Sequence, residues 1–104
     1  ATTDAVIGTE AVASLQHYHF SKGFFGTNGI TVEEGFTTPD IEEAMNKRVA
    51  MEHCRKCYVL ADASKFEALS NVSFGPLSKG VIITAAQEGL NVRSYKQHTE
   101  VIVL

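Results

Sequence analysis

Cys57-Tyr58-Val59-Leu60-Ala61 runs without a break into Asp62-Ala63-Ser64-Lys65-Phe66. The first five residues read as a buried strand, and the next five put an acid, a hydroxyl, a cation and an aromatic ring where it ends. Open α/β sheets bind ligands outside the carboxyl ends of their strands. One junction therefore points both to a parallel sheet and to a site upon it.

Upstream of the junction, Thr38-Pro39-Asp40 reads as a helix start. Thr38 serves as N-cap, Pro39 takes the first helical position, where its missing N–H costs nothing, and Asp40, Glu42 and Glu43 meet the positive end of the helix dipole. Ile41, Ala44, Met45, Met51 and Cys54 form an apolar stripe, while Lys47, Arg48, Arg55 and Lys56 fall toward the carboxyl end. That pattern predicts a helix reaching about residue 55. With a strand over 58–61 it completes β-loop-α-β, the repeating unit of a parallel sheet.

Residues 20–25 predict a short buried strand closed by a turn at Gly26-Thr27-Asn28-Gly29. Asn-Gly also joins antiparallel strands in hairpins, which would make Ile30-Thr31-Val32 a second strand. Glu33-Glu34-Gly35 offers no apolar alternation to continue it, and a loop over 31–39 is favoured. Further upstream, residues 9–16 predict a short helix capped by Thr9, with Val12 and Leu15 on one face.

Beyond the junction, 70–78 reads as a connector containing Gly75-Pro76, with a candidate strand at Val72-Ser73-Phe74. Val81-Ile82-Ile83-Thr84 is short and β-branched, as a strand buried on both faces should be. Residues 85–90 predict a short helix ending near Gly89, and Val101-Ile102-Val103 is a last β-branched run. The fold class expected is α/β: an open, mostly parallel sheet with flanking helices.

Composition bounds the function classes. A chain of 104 residues with 44% hydrophobic and 20% charged content suits one globular domain. A domain of this size buries roughly 65% of the surface that its unfolded chain exposes, enough for one core. A formal charge of −3, with nine basic residues scattered along the chain, gives no footprint for nucleic acid or an acidic membrane. No run of about 20 apolar residues and no signal-peptide pattern is present, so the expected localisation is cytoplasmic. Cys54 and Cys57 form one C-x-x-C, with His53 adjacent and His17-x-His19 upstream. Two thiolates and two imidazoles make a tetrahedral zinc set, yet the spacing is half of that pattern, and free cysteines commonly pack like small hydrophobes. No metal and no cofactor are expected.

The residues also carry a resemblance. Phe25-Gly26-Thr27-Asn28-Gly29-Ile30, Gly35-Phe36-Thr37-Thr38-Pro39, Glu42-Glu43-Ala44, Lys47-Arg48 and Leu60-Ala61-Asp62-x-Ser64-Lys65-Phe66 occur in the order and spacing of the effector-binding domain of DeoR-family transcriptional repressors. Phe74-Gly75-Pro76-Leu77-Ser78 resembles the family's F-x-P-L segment, and Ile82-Ile83-Thr84 its I-I-T strand. The match covers roughly residues 8–84. The resemblance implies an N-terminal winged helix-turn-helix that binds operator DNA, followed by a sensor for a phosphorylated sugar. This chain would then be the C-terminal part of that sensor, without the helix-turn-helix or the glycine- and threonine-rich phosphate loop. Repressors of lactose, fructose or related uptake operons are similar, and the sequence does not choose between them.

The family's sensor fold is similar to ribose-5-phosphate isomerase, of which this chain would hold a part. Such isomerases carry acidic residues in the turn after the strand matching Phe24-Phe25, where this chain has Gly26-Thr27-Asn28-Gly29. Enediol chemistry needs a base within hydrogen-bond reach. A sensor that keeps the D-x-S-K segment and loses the base fits this departure, so no catalytic residue is expected.

The residues proposed for ligand contact each have a structural reading beside the functional one. Lys65 can hold a phosphate or sugar hydroxyl as a compact point charge, or be a solvated lysine. Asp62 can accept from sugar hydroxyls, or cap its turn. Asn28 and Gly29 can bring an amide and bare backbone to a ligand, and a plain turn needs them equally. Thr37 is a weaker candidate. Lys47 can reach the pocket or pair with Glu43 four residues away. Phe66 closes the pocket floor or fills core, core being favoured. The expected partners are a sugar-phosphate effector, operator DNA through another domain only, and further copies of the chain in a homo-oligomer; no membrane partner is expected. Two readings compete with the sensor: a sugar-phosphate isomerase or relative, and an assembly domain without ligand.

Overall fold

Side chains alternate across a strand, and parallel sheets form where both faces find cover. The computed structural model describes residues 19–104; the helix expected over 9–16 lies outside them. In chain order the elements are β1 (Phe20–Gly26), β2 (Gly29–Thr31), β3 (Gly35–Thr38), α1 (Ile41–Glu52), β4 (Cys54–Leu60), β5 (Val72–Gly75), β6 (Val81–Thr84), α2 (Arg93–Lys96) and β7 (Val101–Val103). Single 3-10 turns follow β4 at Ala63–Lys65 and β5 at Leu77–Lys79.

Four strands pair in parallel in the order β1-β4-β6-β7, and β2-β3-β5 form a small antiparallel sheet. In the parallel sheet Phe25 is opposite Val59, Val59 opposite Ile82 and Ile82 opposite Val101. All four are buried, so one row of apolar side chains crosses the sheet on its inner face. α1 covers that face through Ala44, Ala50 and Met51, and Phe36 of β3 stacks with Phe74 of β5 at 6.0 Å between ring centroids. On the other face Phe24 stacks on Tyr58, and Phe24 and Leu60 are exposed. The fold is the expected one, an α/β domain whose main sheet is open and parallel.

Several expectations are corrected. Residues 31–39 are not a loop: β2 and β3 form a hairpin, with Gly29 opposite Thr37 and Thr31 opposite Gly35. The charged Glu33-Glu34 pair occupies its exposed tip, and Gly35 supplies the φ of +73° that closes it. The cap of α1 is Asp40 rather than Thr38; its carboxylate accepts the Glu43 N–H at 3.0 Å, in the D-x-x-E spacing of a capping box. Pro39 therefore precedes the cap. α1 ends at Glu52 and β4 begins at Cys54, so Arg55 and Lys56 belong to a strand and the last helical turn carries no basic residue. Ile41 and Met45 lie on the exposed side of α1, because the small side chains of Ala44 and Ala50 let its other side approach the sheet. Residues 85–90 form no helix; the short helix comes later, as α2.

Candidate functional site

Parallel strands expose their last carbonyls and the loops that follow at a common edge. At this edge β1 ends in Gly26, β4 runs into Asp62 and β6 ends in Thr84. The sequence motif is thus delivered by a strand with a hydrogen-bonded neighbour on each side.

Asp62 caps the 3-10 turn that follows β4. Its Oδ1 accepts the Ser64 N–H at 2.9 Å and the Ser64 hydroxyl. These bonds stabilise the carboxylate form and lower its pKa, with the Lys65 charge adding to the effect. Asp62 is exposed, and Lys65 is half-buried at the end of the turn. The chain then makes a single bridge, Ile30 with Phe66, and the Glu67 N–H donates to the Ile30 carbonyl at 2.8 Å. This seam places the 62–66 turn against β2, two residues from Asn28.

On the β1 side a polar cluster spans three elements. The buried Thr38 hydroxyl lies 3.2 Å from Asn28 Oδ1 and also reaches a Glu43 carboxylate oxygen. Lys47 donates to the Gly26 carbonyl at 2.7 Å, lies 4.0 Å from Glu43 and sits 5.0 Å from the centroid of the Phe74 ring. A helix side chain 21 positions along the chain thus satisfies the last carbonyl of β1. The arrangement brings a cation, a carboxylate, an amide and a hydroxyl together beside a strand end.

The expected site residues separate by what they touch. Asn28, Lys47, Asp62 and Lys65 retain exposed or half-buried polar groups. Thr37 is fully buried, and its Oγ1 accepts the Ser70 N–H at 3.0 Å. Gly29 is also buried: a Cβ there would collide with the Ala68 carbonyl and lie 2.8 Å from Thr37 Oγ1. Phe66 is half-buried, edge-on to Tyr95 at 5.0 Å. Beside the turn lies a cavity lined on one side by Ala63, Ser64, Phe66 and Glu67, and on the other by residues 87–91.

Sequence reasoning used Glu43 for the helix dipole and as a partner of Lys47, a pair the structure has at 4.0 Å, but missed its contact with Thr38, and it missed Glu67 and Tyr95 altogether. The Asp40-x-x-Glu43 spacing was the signal for the first; nothing local announces the others, because their contact joins positions 28 apart.

Cys54 opens β4 and Cys57 is buried within it, donating to the Met51 carbonyl at 3.4 Å. Burial, with Cys54 adding, pushes the Cys57 thiol up to about 11, which keeps it protonated at neutral pH. Among the described residues no three His, Cys, Asp or Glu side chains gather to hold a metal ion; His17 of the imagined zinc set lies outside them. No helix among the described residues is long and apolar enough to cross a membrane.

The family described as the DeoR C terminal sensor domain matches residues 1–86. The uncharacterized HTH-type transcriptional regulator FruR of Bacillus subtilis (strain 168) is 41% identical over 102 residues, which is 98% of this chain and 41% of that protein. The lactose phosphotransferase system repressor of Streptococcus mutans is 32% identical over 101 residues, 96% of this chain and 40% of that protein. The HTH-type transcriptional regulator GlpR of Haloferax volcanii is 36% identical over 77 residues, covering 74% of this chain and 30% of that regulator. The chain thus spans well under half the length of these relatives.

Proposed function

The chain belongs to the DeoR C terminal sensor domain family, and from that premise we propose that it is the effector-sensing part of a transcriptional repressor of carbohydrate metabolism. Its effector is a phosphorylated sugar, and binding shifts the repressor between operator-bound and released populations through unequal affinity for the two states. The observation that carries this reading is the seam between Ile30 and Phe66, which sets the D-x-S-K turn beside the Asn28 turn at one edge of the parallel sheet. Lys65 supplies positive charge for a phosphate or a hydroxyl, and Asp62 and Asn28 supply acceptors and a donor for sugar hydroxyls. Lys47 brings a second cation to the end of β1. Gly29, Thr37 and Phe66 act by shaping the wall behind these groups.

Operator DNA is bound by a part of the protein outside this chain, in keeping with relatives named as HTH-type regulators and with a chain of net charge −3. The repressor works in the cytoplasm and as an assembly of copies, with the exposed Phe24 and Leu60 face of the sheet available for packing. Sedimentation of the full-length protein reads that assembly. An isomerase reading is disfavoured because the Gly26-Thr27-Asn28-Gly29 turn has no carboxylate and the nearby Glu43 is already engaged by Thr38.

A thermal-shift panel of sugar phosphates on the full-length protein, with Lys65→Ala alongside, tests the proposal. A ligand at a hundred times its Kd adds about 2.7 kcal/mol to the state that binds it. Stabilisation by one sugar phosphate, lost in the variant, is the expected result; no response to any of them transfers the reading to an assembly domain.

A further inference from the structure

One buried phenol touches all three residues that seat the 62–66 turn. Tyr95 of α2 is 1% exposed. Its hydroxyl donates to the Glu67 carboxylate, lies 3.1 Å from the Ile30 carbonyl and accepts the Glu67 N–H at 3.1 Å. Its ring meets Phe66 edge to face, with centroids 5.0 Å apart. Burial and the Glu67 carboxylate both raise its pKa, so the phenol stays protonated and keeps its proton for donation.

Glu67 is held in an unusual state. Its φ of 66° lies in the left-handed region, and among the described residues it is the one non-glycine residue placed there. A side chain such as glutamate carries a local cost in that region and stays only where its surroundings fix it. Here the fixing comes from Tyr95 and Ile30, which take its N–H, and from Tyr95, which binds its carboxylate. The cavity beside the turn has Ala63, Ser64, Phe66 and Glu67 as one wall and residues 87–91 as the other. Tyr95 follows that second wall closely in sequence and bonds to the first.

We propose that Tyr95 is a positioning residue for effector binding: with Glu67 it latches the Asp62-to-Phe66 turn to the segment following β6, fixing the spacing of the two cavity walls. The inference rests on the reading that this turn contacts the effector. A latch that holds a strained residue in place preorganises the groups beside it, and preorganisation appears as affinity.

Tyr95→Phe in the full-length protein is the informative variant, because it keeps the ring on Phe66 and removes the hydroxyl. Two measurements separate the latch from the effector reading. Amide exchange reports the turn directly, through the Lys65, Phe66 and Ala68 N–H groups bonded to Asp62, Ala63 and Lys65. The expected result is faster exchange at these amides with Val59 and Ile82 unchanged, together with sugar-phosphate affinity weakened about tenfold, the ratio one hydrogen bond is worth. Glu67→Gln, which keeps an acceptor for the phenol, should behave like the unaltered protein, and Glu67→Ala like Tyr95→Phe. Unchanged exchange at the turn, acceleration spread evenly through the sheet, or a loosened turn with unchanged affinity would each overturn the proposal. If the unaltered protein binds no sugar phosphate, the effector reading fails, and with it the role of the latch in binding; the exchange data then decide only whether the latch exists.

Discussion

β3 and β6 are both four-residue strands, and both are largely buried, yet they solve burial in opposite ways. β6 is Val81-Ile82-Ile83-Thr84, apolar except for its last residue, and the Thr84 hydroxyl is buried without a hydrogen-bond partner among the described residues. β3 is Gly35-Phe36-Thr37-Thr38, buried at every position, and both of its threonine hydroxyls are engaged, by Ser70, Asn28 and Glu43. A buried polar group without a partner costs roughly 1–3 kcal/mol, whereas a paired one is mildly favourable. The parallel sheet is therefore held by apolar area alone, whereas the small antiparallel sheet adds fitted polar contacts to its own buried Ile30, Phe36 and Phe74.

The sharpest way to break the contrast is Gly29→Ala, which drives a methyl into the Ala68 carbonyl where β2 meets the segment after the turn. Overpacking against backbone should cost about 3 kcal/mol, read as a lower urea midpoint with an unchanged m-value. Thr37→Val keeps the volume and strands the Ser70 N–H; a loss of about 2 kcal/mol is expected, and a neutral result would mean that the β3 hydroxyls are not what holds that sheet. Thr84→Val is the mirror experiment. It removes that hydroxyl and should gain about 1 kcal/mol, so a loss by calorimetry would show that the hydroxyl contributes to stability.

The smallest effect sharpens the comparison at the turn. Hydrogen bonds from Ser64 and the Lys65 charge lower the Asp62 pKa from 3.8. A depressed folded-state pKa contributes stability that is complete above the ordinary value and is lost as pH falls through the lowered one. The stability difference between the unaltered protein and Asp62→Asn should thus be flat above about pH 4 and shrink below it. A difference that does not change with pH would mean that Asp62 caps its turn equally well without charge.

Legibility in the sequence followed the same division. Val59 and Ile82 announced their strands, since β-branched apolar runs have few other uses, and the D-x-S-K segment stood out at the end of one of them. The hairpin was hidden because the residues that make it, Thr37 and Thr38, look like loop or cap residues until their partners 10 and 33 positions away are known. The cap was misplaced by two residues because Thr38 and Asp40 both have cap chemistry and the Glu43 spacing decides between them. Tyr95 could not be found locally, its role being defined by Ile30, Phe66 and Glu67.

In the parallel sheet, spatial order repeats chain order: β4 docks on β1, β6 on β4 and β7 on β6. Each new strand needs only the one before it as a template, so the sheet can be laid down as the polypeptide leaves the ribosome, with no completed pair reopened to admit a later arrival. Loss of β7 would leave the β1-β4 and β4-β6 pairings in place.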